Sequence, residues 1–218
     1  MKLTSLLLAV TLGLSSAAFA ADGKKADAPA QSLFDGKTLK GWKITDFAGG
    51  GSVEVKDGQM IVDMGESLSG VTWTNDVPRM NFELSLEAMR LNGSDFMCGL
   101  TFPVGTNCCT FVLGGWGGAV VGISSIDGMD ASENDTTKYM KFDKNKWYKV
   151  RVRVTPEKIQ GWIDDELLAD VETKGRRIDM RAGDIESSQP LGLATYQTSS
   201  AFRNIQLRKL DAPAPPKK

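Results

Sequence analysis

The sequence contains no histidine, only three cysteines, and no apolar run long enough to cross a membrane. Without histidine, Ser/His/Asp triads, Cys/His pairs and histidine-based zinc sites are excluded. Any catalysis must therefore use carboxylates, Lys, Tyr, Ser or Cys. The formal net charge of -1 gives the chain no surface suited to polyanions, so nucleic acid is not an expected partner.

The N-terminus has the features of a secretory signal peptide. Lys2 precedes a short apolar run at residues 6–14, and small residues follow up to Ala-Phe-Ala at residues 18–20. This pattern predicts cleavage before Ala21, and the run is shorter than the ~20 apolar residues of a membrane helix. We therefore expect an exported protein, periplasmic or extracellular, without a transmembrane segment.

The remaining chain is predicted to form one domain. Residues 21–31 and 211–218 are short, charged and rich in Ala or Pro, which is typical of a flexible leader and a Pro-rich tail. The predicted organisation is therefore a signal peptide at 1–20, a leader at 21–31, a folded domain at 32–210 and a tail at 211–218. A domain of this size can enclose a single core.

Period-two alternation is the main structural signal in this domain. Residues 81–91 and 147–155 alternate apolar and polar side chains, as in strands with one buried face. Asp57-Gly58 and Asp164-Asp165 mark hairpin turns. About a dozen such strands, with no sustained helical period, predict an all-β fold: a two-sheet antiparallel sandwich. Glu83 and Glu87 share one strand face, which we interpret as solvated rather than as a catalytic carboxylate pair.

Three cysteines in an exported chain favour one disulfide and one free thiol. A hairpin turn at residues 102–105, with Pro103 at its second position, would place Cys98 opposite Cys109 at bonding distance. A chain without a disulfide and a strained bond between Cys108 and Cys109 are the alternatives.

Three segments together resemble the 3-keto-disaccharide hydrolase family. They are LFDGKTLKGW at residues 33–42, IQGWIDD at 159–165 and FRNI at 202–205. The resemblance covers about residues 33–210, and it implies a concanavalin A-like, laminin G-like jelly roll and a carbohydrate ligand. The chain differs from the family pattern at residues 92–95 (NGSD) and at residues 195–198 (TYQT), which lack a His-Gly element. It therefore resembles a divergent member.

The candidate site residues lie mainly in the central part of the chain. Trp116 has two glycines on each side, so its indole is predicted to be exposed and to stack on a sugar ring, with Trp73 as a second platform. The alternative for both is a core position. An acidic loop at residues 127–135 carries oxygen ligands that would suit calcium. Its predicted roles are substrate binding by Asp127 and Asp130, and acid–base catalysis by Glu133 with Asp95 as the partner carboxylate.

The family resemblance implies a carbohydrate-active protein that acts as a hydrolase or lyase on glycosidic bonds of 3-keto sugars or related glycans. Elimination is open to such sugars because the ketone acidifies the neighbouring C–H bond. The alternative is a non-catalytic glycan-binding or surface-adhesion module on the same fold, and a structural envelope protein is a third hypothesis. Removing a catalytic carboxylate would abolish turnover in an enzyme, whereas a binding module has no turnover to lose.

Overall fold

The computed structural model describes residues 28–211. The predicted signal peptide, most of the predicted leader and nearly all of the predicted tail lie outside these residues. Within residues 28–211, no helix is long and apolar enough to cross a membrane. The described chain is nearly all β-structure in two antiparallel sheets, which confirms the predicted fold class.

The first sheet has eight strands. Its spatial order is β13-β12-β11-β6-β15-β4-β3, and β1 pairs with β15 outside this path. The strands are β1 (Gln31–Ser32), β3 (Val53–Lys56), β4 (Gln59–Val62), β6 (Phe82–Gly93), β11 (Trp147–Val154), β12 (Lys158–Ile163), β13 (Glu166–Glu172) and β15 (Thr198–Lys209).

The second sheet has seven strands in the order β10-β9-β8-β7-β14-β5-β2. Two short helical segments accompany it: a turn at Gly115–Gly118 after β8, and a 3₁₀ segment at Asp184–Ser188 before β14. The strands are β2 (Trp42–Ile44), β5 (Leu68–Trp73), β7 (Cys98–Val104), β8 (Asn107–Gly114), β9 (Val120–Ser124), β10 (Lys138–Tyr139) and β14 (Gly192–Tyr196).

The core lies between the two sheets, and period-two alternation supplies it. In β6, Phe82, Leu84 and Leu86 are buried in the main core cluster, as the alternation predicts. Glu83 takes the opposite face, also as predicted, but it is not solvated. Only 6% of its side chain is exposed, because arginines of neighbouring strands pair with it.

The predicted disulfide between Cys98 and Cys109 is wrong. The β7–β8 hairpin turns at Gly105-Thr106, so Val104 pairs with Asn107 and Cys109 faces Phe102. Cys98 then faces Leu113, four positions beyond Cys109, so the two thiols cannot bond. All three cysteines are free and buried. The turn lies later than predicted because Gly105 adopts a positive φ of 61°, while Pro103 is accommodated within β7.

The outer face of the seven-stranded sheet carries the candidate site. Phe111 points into the core, so alternation directs Thr110 and Val112 of β8 to the outer face. The long segment between β13 and β14, residues 173–191, packs over this face. It is fixed there by a hydrogen bond from the Thr72 hydroxyl to the carbonyl of Ser187, at 3.1 Å.

Candidate carbohydrate site

A pocket of about 360 Å³ opens on the outer face of the seven-stranded sheet. Its floor includes Thr110 and Val112 of β8 and Ser124 of β9. One wall comes from the segment before β7 together with the Gly115–Gly118 turn, and the opposite wall from the segment between β13 and β14. The pocket thus brings together three segments that are far apart in sequence.

Asp95 is held rigidly in the first wall. One carboxylate oxygen, Oδ1, accepts a hydrogen bond from the backbone N–H of Phe96 at 2.7 Å, and Oδ2 accepts one from the N–H of Gly117 at 2.8 Å. The Asp95 N–H in turn donates to the Thr198 hydroxyl at 3.1 Å. Each carboxylate oxygen retains a second lone pair, so Asp95 can still accept a hydrogen bond from a ligand hydroxyl.

Trp116 lies at the centre of the Gly115–Gly118 turn and lines the pocket. Its φ of 48° and ψ of 56° are left-handed, a conformation that costs a non-glycine residue about 1–2 kcal/mol. The flanking Gly114 and Gly117 also have positive φ values, which their lack of a Cβ allows. This turn leaves the indole 42% exposed. A strained, exposed aromatic in a pocket is typical of a functional position.

Arg181 and Asp184 stand in the opposite wall. The Arg181 guanidinium lies 5.6 Å from the centroid of the Trp116 ring and forms an ion pair with Asp130 at 2.9 Å. Asp130 also accepts a hydrogen bond from the Ser124 hydroxyl at 3.2 Å. Asp130 therefore positions the Arg181 guanidinium at the pocket without lining the pocket itself. No described residue bonds to the carboxylate of Asp184, which begins the 3₁₀ segment.

Two stacked aromatic rings complete the pocket. The rings of Phe96 and Tyr196 lie 5.8 Å apart, centroid to centroid, with an angle of 29° between their planes. The backbone N–H of Tyr196 donates to the carbonyl of Phe96 at 3.1 Å. The pocket thus combines apolar ring surfaces with two carboxylates, one guanidinium and hydroxyl groups, which suits a polyhydroxylated ligand with apolar faces.

In the acidic loop at residues 127–135, for which calcium was considered, arginines pair with the aspartates. Asp127 accepts hydrogen bonds from the Arg177 N–H and, at 2.6 Å, from Arg176, and both contacts lower the pKa of Asp127. Arg176 also pairs with Asp135 at 2.9 Å and lowers its pKa. Arginines thus neutralise this loop. Nowhere between residues 28 and 211 do three or more acidic, cysteine or histidine side chains gather where they could hold a metal ion.

The structure separates the predicted site residues into two groups. Asp95 and Trp116 line the pocket, and Asp130 reaches it through Arg181. Trp73 does not: it is 8% exposed and packs edge-on against Trp42 in the core, with ring centroids 5.1 Å apart. The alternation of β5 indicates this core position, because Trp73 shares one strand face with Val71, which is also buried.

Two other predicted residues also lie away from the pocket. Asp127 pairs with Arg176, and Glu133 is exposed on the acidic loop, so Glu133 and Asp95 do not form a carboxylate pair at the pocket. Sequence reasoning missed Arg181, Asp184 and Tyr196. The first two lie in an irregular segment, and only its packing over the sheet makes them part of a site.

Solved structures of carbohydrate-related and other β-sandwich proteins share this fold. A galectin-like protein of unknown function from Bacillus subtilis is 8% identical, with a TM-score of 0.60 over 84% of this chain and 97% of that one. A carbohydrate-binding module from Bacillus subtilis is 12% identical, with a TM-score of 0.53 over 78% and 96% of the two chains. A β-glucanase from Bacillus licheniformis is 10% identical, with a TM-score of 0.53 over 86% and 100%.

At these identities the likeness establishes the fold alone. A comparison with curated protein sequences finds no match. A family model, described as a 3-keto-alpha-glucoside-1,2-lyase-like domain, matches residues 29–208. This match confirms the resemblance identified from the sequence, and with the fold it supports a carbohydrate-active protein. The chain belongs to the 3-keto-alpha-glucoside-1,2-lyase-like domain family.

Proposed function

We propose that this protein is an exported enzyme that binds a 3-keto-α-glucoside in the Trp116 pocket and cleaves its glycosidic bond by elimination. The observation that carries the proposal is that one pocket holds an indole, two carboxylates and a guanidinium, from Trp116, Asp95, Asp184 and Arg181. The family description supports the reaction type. The proposal of export rests on the signal-peptide pattern at residues 1–20. The mass of the mature chain tests it, because that chain should begin at Ala21.

Binding and chemistry fall to different residues in this proposal. The Trp116 ring faces the apolar side of the sugar, and Asp95, fixed by two backbone amides, accepts hydrogen bonds from sugar hydroxyls. Asp184 acts as the base because no described residue forms a hydrogen bond or ion pair with its carboxylate. Arg181, held by Asp130, faces the ketone oxygen.

The elimination proceeds in two steps. Asp184 removes the proton from C2, beside the ketone, and the electron pair moves onto the ketone oxygen, where Arg181 stabilises the enolate. The enolate then re-forms the ketone as a C1–C2 double bond forms and the bond from C1 to the glycosidic oxygen breaks. The protonated Asp184 returns its proton to the leaving oxygen. The products are an unsaturated 3-keto sugar and a free alcohol.

Purified mature protein should release methanol from methyl 3-keto-α-glucoside and none from methyl α-glucoside. The unsaturated ketone should appear by ultraviolet absorbance, and deuterium at C2 should slow the reaction.

Asp184→Asn should lower kcat by about 100-fold or more, since it removes the base. Glu133→Gln is the matched control, because Glu133 lies on the exposed acidic loop, and it should leave the rate unchanged. Release from both glucosides, without an isotope effect, would instead indicate hydrolysis.

A glycan-binding module is the second candidate, and the hydrogen bonding of Asp95 favours it. Both of its oxygens are fixed by backbone amides, an arrangement suited to binding hydroxyls and poorly suited to moving protons. In this case no methanol would be released. Calorimetry would detect glucoside binding that Trp116→Ala weakens, whereas Asp184→Asn would change the affinity less than twofold.

A further inference from the structure

The centre of the eight-stranded sheet carries a regular arrangement of charges on its outer face. The register of β11, β6 and β15 aligns outward-facing side chains of the three strands in three rows. The rows are Lys149, Glu87 and Arg203; Arg151, Ser85 and Gln206; and Arg153, Glu83 and Arg208. We call these residues the basic grid, because its five cations exceed its two carboxylates by three charges.

The basic grid differs from what the composition indicates. A formal net charge of -1 predicts no surface suited to polyanions. Net charge does not describe how charges are distributed, however, and the pairing of three strands gathers five cations on one face. A local excess of one sign attracts ions of the opposite sign. The expectation therefore holds for the chain as a whole and not for this face.

Two tryptophans hold arginines of the basic grid in place. The guanidinium of Arg151 lies 3.7 Å from the centroid of the Trp162 ring, and that of Arg203 lies 4.0 Å from the centroid of the Trp147 ring. Both arginine side chains are still about one-third exposed. Because stacking has already restricted them, they lose less conformational freedom when they bind a ligand than mobile side chains would.

The arginines of the basic grid already bind carboxylates within the protein. Glu87 accepts hydrogen bonds from Nε of Arg203 at 2.8 Å and from its Nη2 at 2.7 Å. Arg151 donates to Glu83 through Nη1 at 3.1 Å, and no other described residue accepts a hydrogen bond from it. A guanidinium has five N–H donors, so Arg151 keeps donors for a ligand. The geometry and the excess charge both suit further carboxylates.

The neutral positions of the basic grid favour a sugar polymer as the source of these carboxylates. Ser85 and Gln206 offer a hydroxyl and an amide, and none of the residues in the grid is apolar. A membrane-binding surface needs apolar groups to insert, and a protein interface has an apolar core. Arginines cover a face of Trp147 and of Trp162, so these rings are poor platforms for nucleic-acid bases.

We infer that the basic grid binds a polymer of uronic acids, whose carboxylates pair with Lys149, Arg151 and Arg203. The grid extends about 10 Å across the strands and about 14 Å along them, so it can contact a polymer at several points. The Trp116 pocket lies on the outer face of the other sheet. The two sites therefore do not overlap, and the inference does not depend on the proposed elimination.

Calorimetry with polygalacturonate at low ionic strength tests this inference. Its methyl ester is the control ligand, because it has the same sugar backbone without the charges. The protein should bind the acid form and not the ester, and added sodium chloride should weaken binding, since salt screens exposed charges. Equal binding of the two forms, or binding of neither, would overturn the inference.

Substitutions locate the binding surface. The double variant Lys149→Gln/Arg151→Gln should lower the affinity for polygalacturonate by about 10-fold, the effect of two exposed ion pairs. Lys149 is exposed, so Lys149→Gln alone should leave the fold intact and lower the affinity about threefold.

The matched control is Lys43→Gln/Lys138→Gln. It removes the same charge from exposed positions on β2 and β10, the edge strands of the other sheet, and should change the affinity by less than about twofold. Equal losses in the two double variants would show that net charge alone governs binding, and would reject the basic grid as a site.

Two further measurements separate the basic grid from other sites and other polyanions. Lys149→Gln/Arg151→Gln should cleave methyl 3-keto-α-glucoside at the wild-type rate. Binding of polygalacturonate by a protein that cleaves no glucoside would support the grid and reject only the elimination. Single-stranded DNA should bind more weakly than polygalacturonate, and tighter DNA binding would contradict the assignment of a uronic-acid polymer.

Discussion

Arg90 shows how one buried side chain can hold several segments of the site. Its guanidinium donates hydrogen bonds to the carbonyl oxygens of Asp95, Gly118 and Phe142, which belong to three different connections. Burial lowers the pKa of Arg90, and the nearby Asp95 carboxylate raises it. A planar guanidinium with five N–H donors can serve several carbonyls at once, whereas an ammonium is a single point charge.

Replacing Arg90 should therefore affect both stability and binding. Arg90→Met leaves the carbonyls of Asp95 and Gly118 without their donor, and we expect a loss of about 1–3 kcal/mol in the free energy of unfolding. Arg90→Lys should recover only part of this loss. Urea denaturation measures the effect, and calorimetry with methyl 3-keto-α-glucoside should show weaker binding in both variants.

The control for this prediction is Arg79→Met. Arg79 also donates to a backbone carbonyl, that of Gly105 at 3.5 Å, but this bond is exposed to water. Its loss should change the free energy of unfolding by less than about 0.5 kcal/mol. Equal effects at Arg79 and Arg90 would show that burial of Arg90 contributes nothing to the site.

Individual site residues could be predicted where the local sequence constrains them. Trp116 is recognisable because flanking glycines permit an exposed turn, and Asp95 because it follows a long alternating strand. Arg181 and Asp184 have no such signal, since their place in the pocket depends on how residues 173–191 pack over the sheet. A local sequence pattern carries no information about that packing.

At the scale of elements, the outer face of the eight-stranded sheet is a network of charges. Glu83 of β6 pairs with Arg151 at 3.1 Å and Arg153 at 2.8 Å from β11, and with Arg208 from β15. The register of three adjacent strands brings these side chains together. Burial raises the pKa of Glu83, but the hydrogen bonds from Arg208, Arg153 and Arg151 outweigh this and lower it below its ordinary value.

The network makes a pH-dependent contribution to stability. Because the folded-state pKa of Glu83 is below that of the unfolded chain, the stabilisation is fully present above the unfolded value of about 4.3 and is lost as the pH falls through the folded value. Glu83→Gln should therefore lower the free energy of unfolding at pH 7 by about 1–3 kcal/mol. The loss is limited to this range because the arginines are about one-third exposed and can turn to water.

The difference in the free energy of unfolding between wild type and Glu83→Gln should shrink as the pH is lowered below about 4. Urea denaturation repeated across the acid range measures this difference. Glu54→Gln, an exposed carboxylate on β3 of the same sheet, should show no comparable difference at either pH. A gap between wild type and Glu83→Gln that stays constant with pH would mean that the charge of Glu83 does not stabilise the sheet.

At the scale of the whole molecule, the fold depends on its core and on strand pairing. Alternation predicted which faces would be buried, and Phe82, Leu84 and Leu86 meet the side chains of the opposite sheet in one cluster. The pairing of strands distant in sequence, such as β6 between β11 and β15, could not be predicted, because it depends on contacts across the whole chain. The same limit explains the error at Cys98, where a small shift of the turn changes every partner along β8.

The reactivity of the three cysteines tests directly whether they are buried and free in the folded molecule. Cys98 and Cys109 are fully buried and Cys108 nearly so, and burial raises the pKa of each thiol, to about 12 for Cys98. The native protein should therefore react very slowly with a thiol reagent such as DTNB, whereas the unfolded chain should titrate three thiols.

The free energy of unfolding should also be the same with and without dithiothreitol, because no disulfide constrains the unfolded chain. A bond between two of the cysteines would lower the titrated number to one, and its reduction would cost about 2–4 kcal/mol. Protein expressed under oxidising conditions is the most stringent sample for this measurement. Full burial keeps the thiolate form, which is the reactive one, from forming before the sheets separate.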